Sequence, residues 1–247
     1  MRPIERYKIG EVVTLNDGTQ VSVQEEYIPH RNAIPMLLSN FGPYCSYCEA
    51  CMSNGLCLDV EHVLPKSLND ELKFKWNNFL LGCRICNGPG GKWKSPMPIA
   101  TMHSPDKNNT FLSLEYREGG VIKVNSNLSI DAQQNAQALI NYLQLNKSPK
   151  SSLIERDGRT QMRSEIWEIA TDMLNDYNAN DTACLKYLIQ VAKARGGWSI
   201  WFTVFKGHDE VRKALIEKFP GTAEECFDAN NHYEPIDRHP ENAADPT

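Results

Sequence analysis

The sequence of 247 residues lacks any long apolar stretch. A membrane-spanning helix needs a run of about 18 apolar residues, and no run in this sequence approaches that length. It also lacks excess positive charge, because 26 Lys and Arg stand against 31 Asp and Glu, a formal net charge of −5. This balance excludes a protein that binds nucleic acid through bulk charge, but not one with a local basic surface. The opening residues, MRPIERYKIGEVV, show neither an apolar core nor a small-residue cleavage site, so we expect a cytoplasmic protein.

Cysteine, by contrast, is concentrated in one part of the chain, with six of the eight cysteines between positions 45 and 86. Cys45 and Cys48 form one C-x-x-C pair, and Cys83 and Cys86 form a second. In a reducing compartment, clustered cysteines more often bind metal than form disulfides. Two such pairs can close a tetrahedral site around Zn²⁺, so the spacing predicts a structural four-cysteine zinc site.

Other interpretations of the cysteines are a redox motif or simple burial. A thioredoxin-like redox motif needs one C-x-x-C pair rather than two, so it fits this sequence less well. Cys51 and Cys57 fit either small core residues or a replacement ligand. Cys184 and Cys226 are expected to be ordinary buried or idle thiols.

The first half of the chain divides into two predicted regions. Residues 1–41 predict a hairpin around Asp17-Gly18 and then a helix whose start is limited by Pro35. Residues 42–100 hold both cysteine pairs. From position 62 to 100 they carry a local excess of positive charge, with two acids against six basic residues: Lys66, Lys73, Lys75, Arg84, Lys92 and Lys94.

The second half predicts a helical region and a polar end. Within residues 101–221, a second hairpin is expected to turn at Gly119-Gly120, and Ser129 is positioned to cap the first helix. Apolar periodicity predicts helices near 129–145, 161–177, 181–194 and 209–219. Residues 222–247, with seven acids against one Arg, predict a loose acidic tail. The expected fold class is therefore α+β, with short hairpins and an α-helical C-terminal region.

The segment between the cysteine pairs contains two predicted strands. Residues 58–63 alternate in polarity, and residues 76–82 form a second extended stretch that leads into Cys83. The order Cys-x-x-Cys, Glu-His-x-x-Pro, then Asn-x-x-x-x-Cys-x-x-Cys-Asn with a nearby Lys resembles that of the HNH endonucleases, the ββα-metal nuclease class. The resemblance implies a zinc-stapled ββα core.

The resemblance also implies a role for each residue of this pattern. His62 matches the general base that activates water, a task suited to an imidazole near neutral pH. Glu61 and Asn87 match the ligands of a catalytic Mg²⁺ or Mn²⁺, since hard cations prefer oxygen ligands. Asn78 matches the residue that holds the loop carrying the histidine. The implied reaction is hydrolysis of phosphodiester bonds, with double-stranded DNA as the expected substrate.

Basic residues near this pattern are expected to meet backbone phosphates, with Lys66, Lys92 and Lys94 as the first candidates. The stretch Gly88-Pro89-Gly90-Gly91 departs from the nuclease pattern, because Gly and Pro disfavour the helix expected after Asn87. This departure keeps open the alternative of a catalytically inactive, zinc-stapled module that binds nucleic acid or a partner protein. A redox protein is a third interpretation.

A closer resemblance extends outside the core. Tyr44-Cys-Ser-Tyr-Cys-Glu49, Glu61-His-Val-Leu-Pro-Lys66 and Trp76-Asn-Asn78 are similar to the HNH proteins of Septu-type anti-phage systems and related retron-linked operons, the PtuB-like family. Leu143-Gln-Leu-Asn146 continues that pattern. The resemblance implies an antiviral defence role and a specific partner, an SMC- or ABC-type ATPase that positions the nuclease.

Overall fold

A computed structural model of the chain describes residues 1–88, 101–147, 157–180, 184–242 and 247. It shows a mixed α+β fold of two-stranded antiparallel hairpins and helices. In chain order the elements are β1 Val12–Thr14, β2 Gln20–Ser22, α1 Ile34–Phe41, β3 Leu58–His62, β4 Phe79–Cys83, α2 Arg84–Asn87, α3 Thr110–Ser113, β5 Leu114–Tyr116, β6 Ile122–Val124, α4 Ile130–Leu143, α5 Arg159–Asn180, α6 Leu185–Arg195, α7 Trp198–Val204, α8 Asp209–Lys218, β7 Phe227–Asp228 and β8 Glu234–Pro235. None of the described helices is both long and apolar enough to cross a membrane.

The N-terminal region has the predicted hairpin and helix. Strands β1 and β2 pair around the Asp17-Gly18 turn, where the backbone N–H of Thr19 donates to the Asp17 side chain. A 3₁₀ turn, His30–Ala33, leads into α1, which has Pro35 in its first turn. A proline is tolerated there because the first backbone N–H groups of a helix have no partner inside the helix.

The central hairpin pairs β3 with β4 in antiparallel register, from Leu58 opposite Cys83 to His62 opposite Phe79. Four of the five β3 residues are buried, so the expected alternation of buried and exposed positions fails only at Glu61, which is buried. The difference arises because α2, which follows β4, covers the face of the hairpin that carries Glu61. The second predicted strand begins late, since residues 76–78 form a 3₁₀ turn before β4.

From residue 129 to 219, the helices follow the sequence prediction except at one element. Ser129 caps α4 by accepting a hydrogen bond from the backbone N–H of Ala132, and α5, α6 and α8 occupy the other predicted stretches. Helix α7 was not predicted, because five of its seven residues are apolar and the stretch shows no clear amphipathic period. Trp198, Trp201 and Phe202 on this helix are almost fully buried in the core.

The segment 222–242 is packed, in contrast to the loose tail that its charge predicts. Cys226 and Phe227 are buried, and the Asn109 side chain donates hydrogen bonds of 2.8 Å to the carbonyl oxygens of Cys226 and Ile236. Arg238 forms ion pairs with two acids, one of them in the N-terminal region. Charge counting misses this packing because the buried pair Cys226-Phe227 lies within an acidic stretch.

A buried carboxylate joins the first cysteine pair to α7. Glu49 accepts hydrogen bonds from the Ser199 hydroxyl at 2.6 Å, the Ser199 backbone N–H at 2.9 Å and the Arg2 backbone N–H at 2.5 Å. The two chain segments approach so closely that a Cβ atom on Gly196 would lie 2.3 Å from the Glu49 carbonyl oxygen. The first C-x-x-C turn (called the first knuckle below, with Cys83 to Cys86 as the second), the N-terminus and α7 therefore meet at one polar junction.

We expect Ser199→Ala to lower the free energy of unfolding by about 1.5–3 kcal/mol, since it removes a hydrogen bond to a buried charged acceptor. Urea unfolding followed by circular dichroism would measure the change. Ser126→Ala, at an exposed serine, is the matched control and should shift stability by less than about 0.5 kcal/mol. Equal stability of the two variants would contradict the role of this junction.

Candidate metal centre and active site

The two cysteine pairs meet as one cluster. Cys45, Cys48, Cys83 and Cys86 are all buried, and their sulfur atoms lie within 4.8 Å of one another. The Cys48 and Cys83 sulfurs are 3.8 Å apart, which is the edge of about 3.8 Å expected of a tetrahedron with Zn–S bonds of about 2.3 Å. The residues present therefore fit a metal such as zinc.

The local structure explains why the pairs converge. The first knuckle is bound to β4 through Ser46, whose backbone N–H donates to the Leu81 carbonyl at 2.8 Å. The second knuckle begins α2, and there the Cys86 backbone N–H lies 3.5 Å from the Cys83 sulfur. Cys83 is the last residue of β4, so the central hairpin is fixed directly to the cluster.

The four thiols strongly perturb one another. Hydrogen bonding from Cys45, Cys48 and Cys86 lowers the pKa of Cys83. The pKa values of Cys48 and Cys86 are raised, and the largest cause in both cases is the hydrogen bond with Cys45. One thiolate is thus favoured, and its negative charge opposes the ionisation of each further thiol. A divalent cation removes this opposition, which is the physical reason for such a cluster to bind metal.

Two other cysteines of this region lie outside the cluster. Cys57 is exposed, so the expectation of a core residue is wrong for this position. Cys51 is half-buried against the core, and its thiol has a pKa that burial raises. Within the described residues, neither belongs to the four-thiol group.

Glu61 lies on the hairpin face that α2 covers. A Cβ atom on Gly82 would be 3.2 Å from the Glu61 Cβ and 3.0 Å from the Asn87 Cβ, so these two side chains meet over the same glycine. Asn87 lies at the end of α2, and its side-chain amide is 3.3 Å from the Val60 carbonyl oxygen. The short helix therefore forms despite the glycines after it, and Asn87 reaches the hairpin.

Tyrosines surround the Glu61 carboxylate, which is fully buried. The Tyr47 hydroxyl donates to the carboxylate at 3.1 Å. Burial raises the pKa of Tyr47 well above its usual value, and the Glu61 charge adds to that effect. Burial, again assisted by Glu61, raises the pKa of Tyr142 to about 12. Both phenols stay protonated at neutral pH, so Tyr47 keeps its donor role toward Glu61.

His62, on the opposite face, is held by the turn that follows β3. Its Nε2 atom lies 2.9 Å from the Lys73 carbonyl oxygen, and its ring contacts Phe79 edge to face at 5.2 Å. Because a carbonyl oxygen only accepts hydrogen bonds, Nε2 carries the hydrogen in neutral imidazole. The lone pair is then on Nδ1, which is the atom able to accept a proton.

Asn78 closes the same turn. Its Oδ1 accepts from the Leu64 backbone N–H at 2.8 Å, and its Nδ2 donates to the Leu64 carbonyl at 3.0 Å and the Leu72 carbonyl at 3.3 Å. The side chain therefore fixes both ends of the segment 64–72. This geometry accords with a positioning residue, and the catalytic roles of His62 and Asn78 stay predictions.

The predicted phosphate-binding residues divide into two groups. Lys66 is exposed in the turn after His62. Lys92 and Lys94 lie outside the described residues. Sequence reasoning did not single out Tyr47, although it lies inside the first C-x-x-C pair. Nor did it single out Arg159, whose Nη1 is 3.3 Å from the Cys86 sulfur.

We expect the purified chain to contain one zinc per molecule by elemental analysis, and Cys45→Ser or Cys83→Ser to lose it. A structural zinc site contributes about 10 kcal/mol or more in small metal-dependent modules, so these variants should be insoluble or locally unfolded. Cys57→Ser is the matched control, because that thiol is exposed and outside the cluster. Wild-type protein without bound metal would refute the site.

The comparisons with known proteins give one partial similarity. No protein-family model matches the chain. The chain is 34% identical over 68 residues to the Septu protein PtuB of Bacillus thuringiensis, a match that covers 26% of each protein. The similarity thus spans about a quarter of that relative's length. It supports a Septu-related link for this chain.

Proposed function

We propose that the chain is a metal-dependent HNH endonuclease that hydrolyses phosphodiester bonds, with DNA as its substrate. The observation that carries the proposal is the arrangement of the β3–β4–α2 unit. Glu61 and Asn87 meet over Gly82 on one face of the hairpin, while His62 is held on the other side by the turn that Asn78 closes. These are the four positions that the sequence pattern assigns to hydrolysis.

Each residue has a defined task in this proposal. Nδ1 of His62 accepts the proton of the attacking water as the water oxygen bonds to phosphorus and the 3′ oxygen leaves. The Lys73 carbonyl and the Asn78 side chain keep the imidazole in its tautomer and position. Tyr47 orients the Glu61 carboxylate. Exposed Lys66 contacts a backbone phosphate.

Glu61 and Asn87 are the residues that would hold a catalytic divalent cation. Their side chains offer carboxylate and amide oxygens, the ligand type that Mg²⁺ and Mn²⁺ prefer. Such an ion, when bound, supplies charge neutralisation at the phosphate and the leaving oxygen. The Glu61 side chain is fully buried, and an isolated buried charge is costly. A nearby cation would offset the cost of keeping this carboxylate ionised.

We expect His62→Ala to reduce plasmid cleavage by about 10²–10⁴-fold, the usual loss on removal of a general base, while zinc content and melting temperature stay nearly unchanged. The assay uses plasmid with Mg²⁺ or Mn²⁺, and EDTA should abolish cleavage. His232→Ala, at an exposed histidine paired with Asp209, is the matched control. Full cleavage by His62→Ala would refute His62 as the general base. If neither wild type nor control shows metal-dependent cleavage, the inactive, zinc-stapled binding module is favoured instead.

We further infer an anti-phage defence role, with an SMC- or ABC-type ATPase as partner. The similarity to a Septu protein supports this inference. So does charge, because a chain with a net charge of −5 binds polyanionic DNA weakly without assistance. A partner that holds the DNA would supply the missing affinity and restrict cleavage to infection.

We expect the chain to form a stable complex with an ATPase encoded next to it, and the isolated chain to cleave weakly at physiological Mg²⁺. Co-expression followed by size-exclusion chromatography measures the complex, and cleavage assays of the two fractions measure activation. Separate elution, together with full activity of the nuclease alone, would contradict control by a partner and leave a self-sufficient enzyme.

A further inference from the structure

A second imidazole lies against His62. His30 belongs to the 3₁₀ turn His30–Ala33, and its ring centroid is 5.2 Å from that of His62 at an interplanar angle of 71°. The ring of His62 is thus contacted by Phe79 of the hairpin and by a residue from the N-terminal region. His30 is only partly buried, so part of this residue is accessible to solvent.

Three cations act electrostatically on His30. Burial lowers the pKa of His30, and the charges of Lys66, Arg31 and Lys73 lower it further, in that order, while Asp59 acts in the opposite sense. Arg31 and Lys66 are exposed, and Lys73 is half-buried. The balance of charge around this imidazole is therefore positive, and the ring is neutral at pH 7. A neutral imidazole keeps one N–H donor.

These cations differ from others nearby in having no acidic partner. Lys75, a short distance along the chain, forms ion pairs of 2.8 Å with Glu25 and Glu26. No carboxylate in the described ranges lies within ion-pair distance of Arg31, Lys66 or Lys73. Lys73 lies over the Phe74 ring at 5.1 Å, but no described carboxylate pairs with any of the three like charges, and an anion would relieve their repulsion.

We propose that His30, Arg31, Lys66 and Lys73 form a phosphate-binding subsite beside His62, which takes a backbone phosphodiester of nucleic acid. The inference rests on the proposed function, because it places the bound strand next to the proposed base. The His30 N–H donates to a non-bridging phosphate oxygen, and Arg31 offers the paired donors that suit phosphate. The N-terminal turn thereby becomes part of the substrate site.

The first test measures binding without cleavage. Fluorescence anisotropy in EDTA would give the Kd of labelled DNA duplex and, separately, labelled RNA, over a range of NaCl concentrations. We expect Arg31→Ala to weaken binding about three- to tenfold and to reduce the slope of log Kd against log salt by about 1. Lys123→Ala is the matched control, since this lysine is exposed on the β5–β6 hairpin and has no described ion pair.

The second test separates ligand binding from packing at His30. His30→Phe keeps an aromatic ring against His62 but removes the N–H donor, whereas His30→Gln loses the ring and keeps a donor. A phosphate-binding role predicts weaker binding for His30→Phe and partial retention for His30→Gln. A purely structural role predicts the reverse order, with the larger loss of melting temperature in His30→Gln.

The outcomes distinguish this subsite from the nuclease proposal. Weakened binding in Arg31→Ala and His30→Phe supports the subsite even if the wild type cleaves nothing, in which case only the proposed function fails. Wild-type affinity in both variants, alongside wild-type cleavage, overturns the subsite and leaves the nuclease intact. Failure of the wild type to bind DNA or RNA also overturns the subsite, and the better-bound polymer identifies the source of the phosphate.

Discussion

The rest of the structure depends on four sulfur atoms that lie within 4.8 Å of one another. At this distance the negative charges of ionised thiols repel one another. Once one thiol has ionised, its neighbours resist doing so, as the raised pKa values of Cys48 and Cys86 indicate. A bound cation resolves the conflict, and Arg159 of α5 adds a positive charge 3.3 Å from the Cys86 sulfur. The cluster therefore joins the hairpin to the helical region through electrostatics as well as chain connectivity.

The same cluster is surrounded by hydrogen bonds that reach distant parts of the sequence. Glu49, next to the first knuckle, connects the N-terminus to α7 through Ser199, and Ser46 connects the knuckle to β4. Interactions that share partners in this way are energetically coupled rather than additive. A change at the metal centre should consequently be felt at α7 and at the base of the hairpin together.

Sequence reasoning succeeded where chemistry is local. Each C-x-x-C pair needs only a short spacing, so the pairs are visible along the chain. It failed where burial comes from distant segments. Nothing in the sequence marks Glu49 as a buried acceptor, and the contact of His30 with His62 depends on how the N-terminal region folds back. Helix α7 was missed because its first five residues are all buried, so the sequence shows no exposed polar face there.

Three separate segments of the chain hold the imidazole of His62, the base in the proposed function. Lys73 in the following turn sets the tautomer, Phe79 on β4 packs against one side of the ring, and His30 from the N-terminal region contacts another. An imidazole restrained on several sides loses little entropy on reaction, which is the advantage of a preorganised group. The hairpin alone supplies only part of that restraint. The N-terminal region therefore contributes to the surroundings of His62, which the segment between the cysteine pairs does not supply by itself.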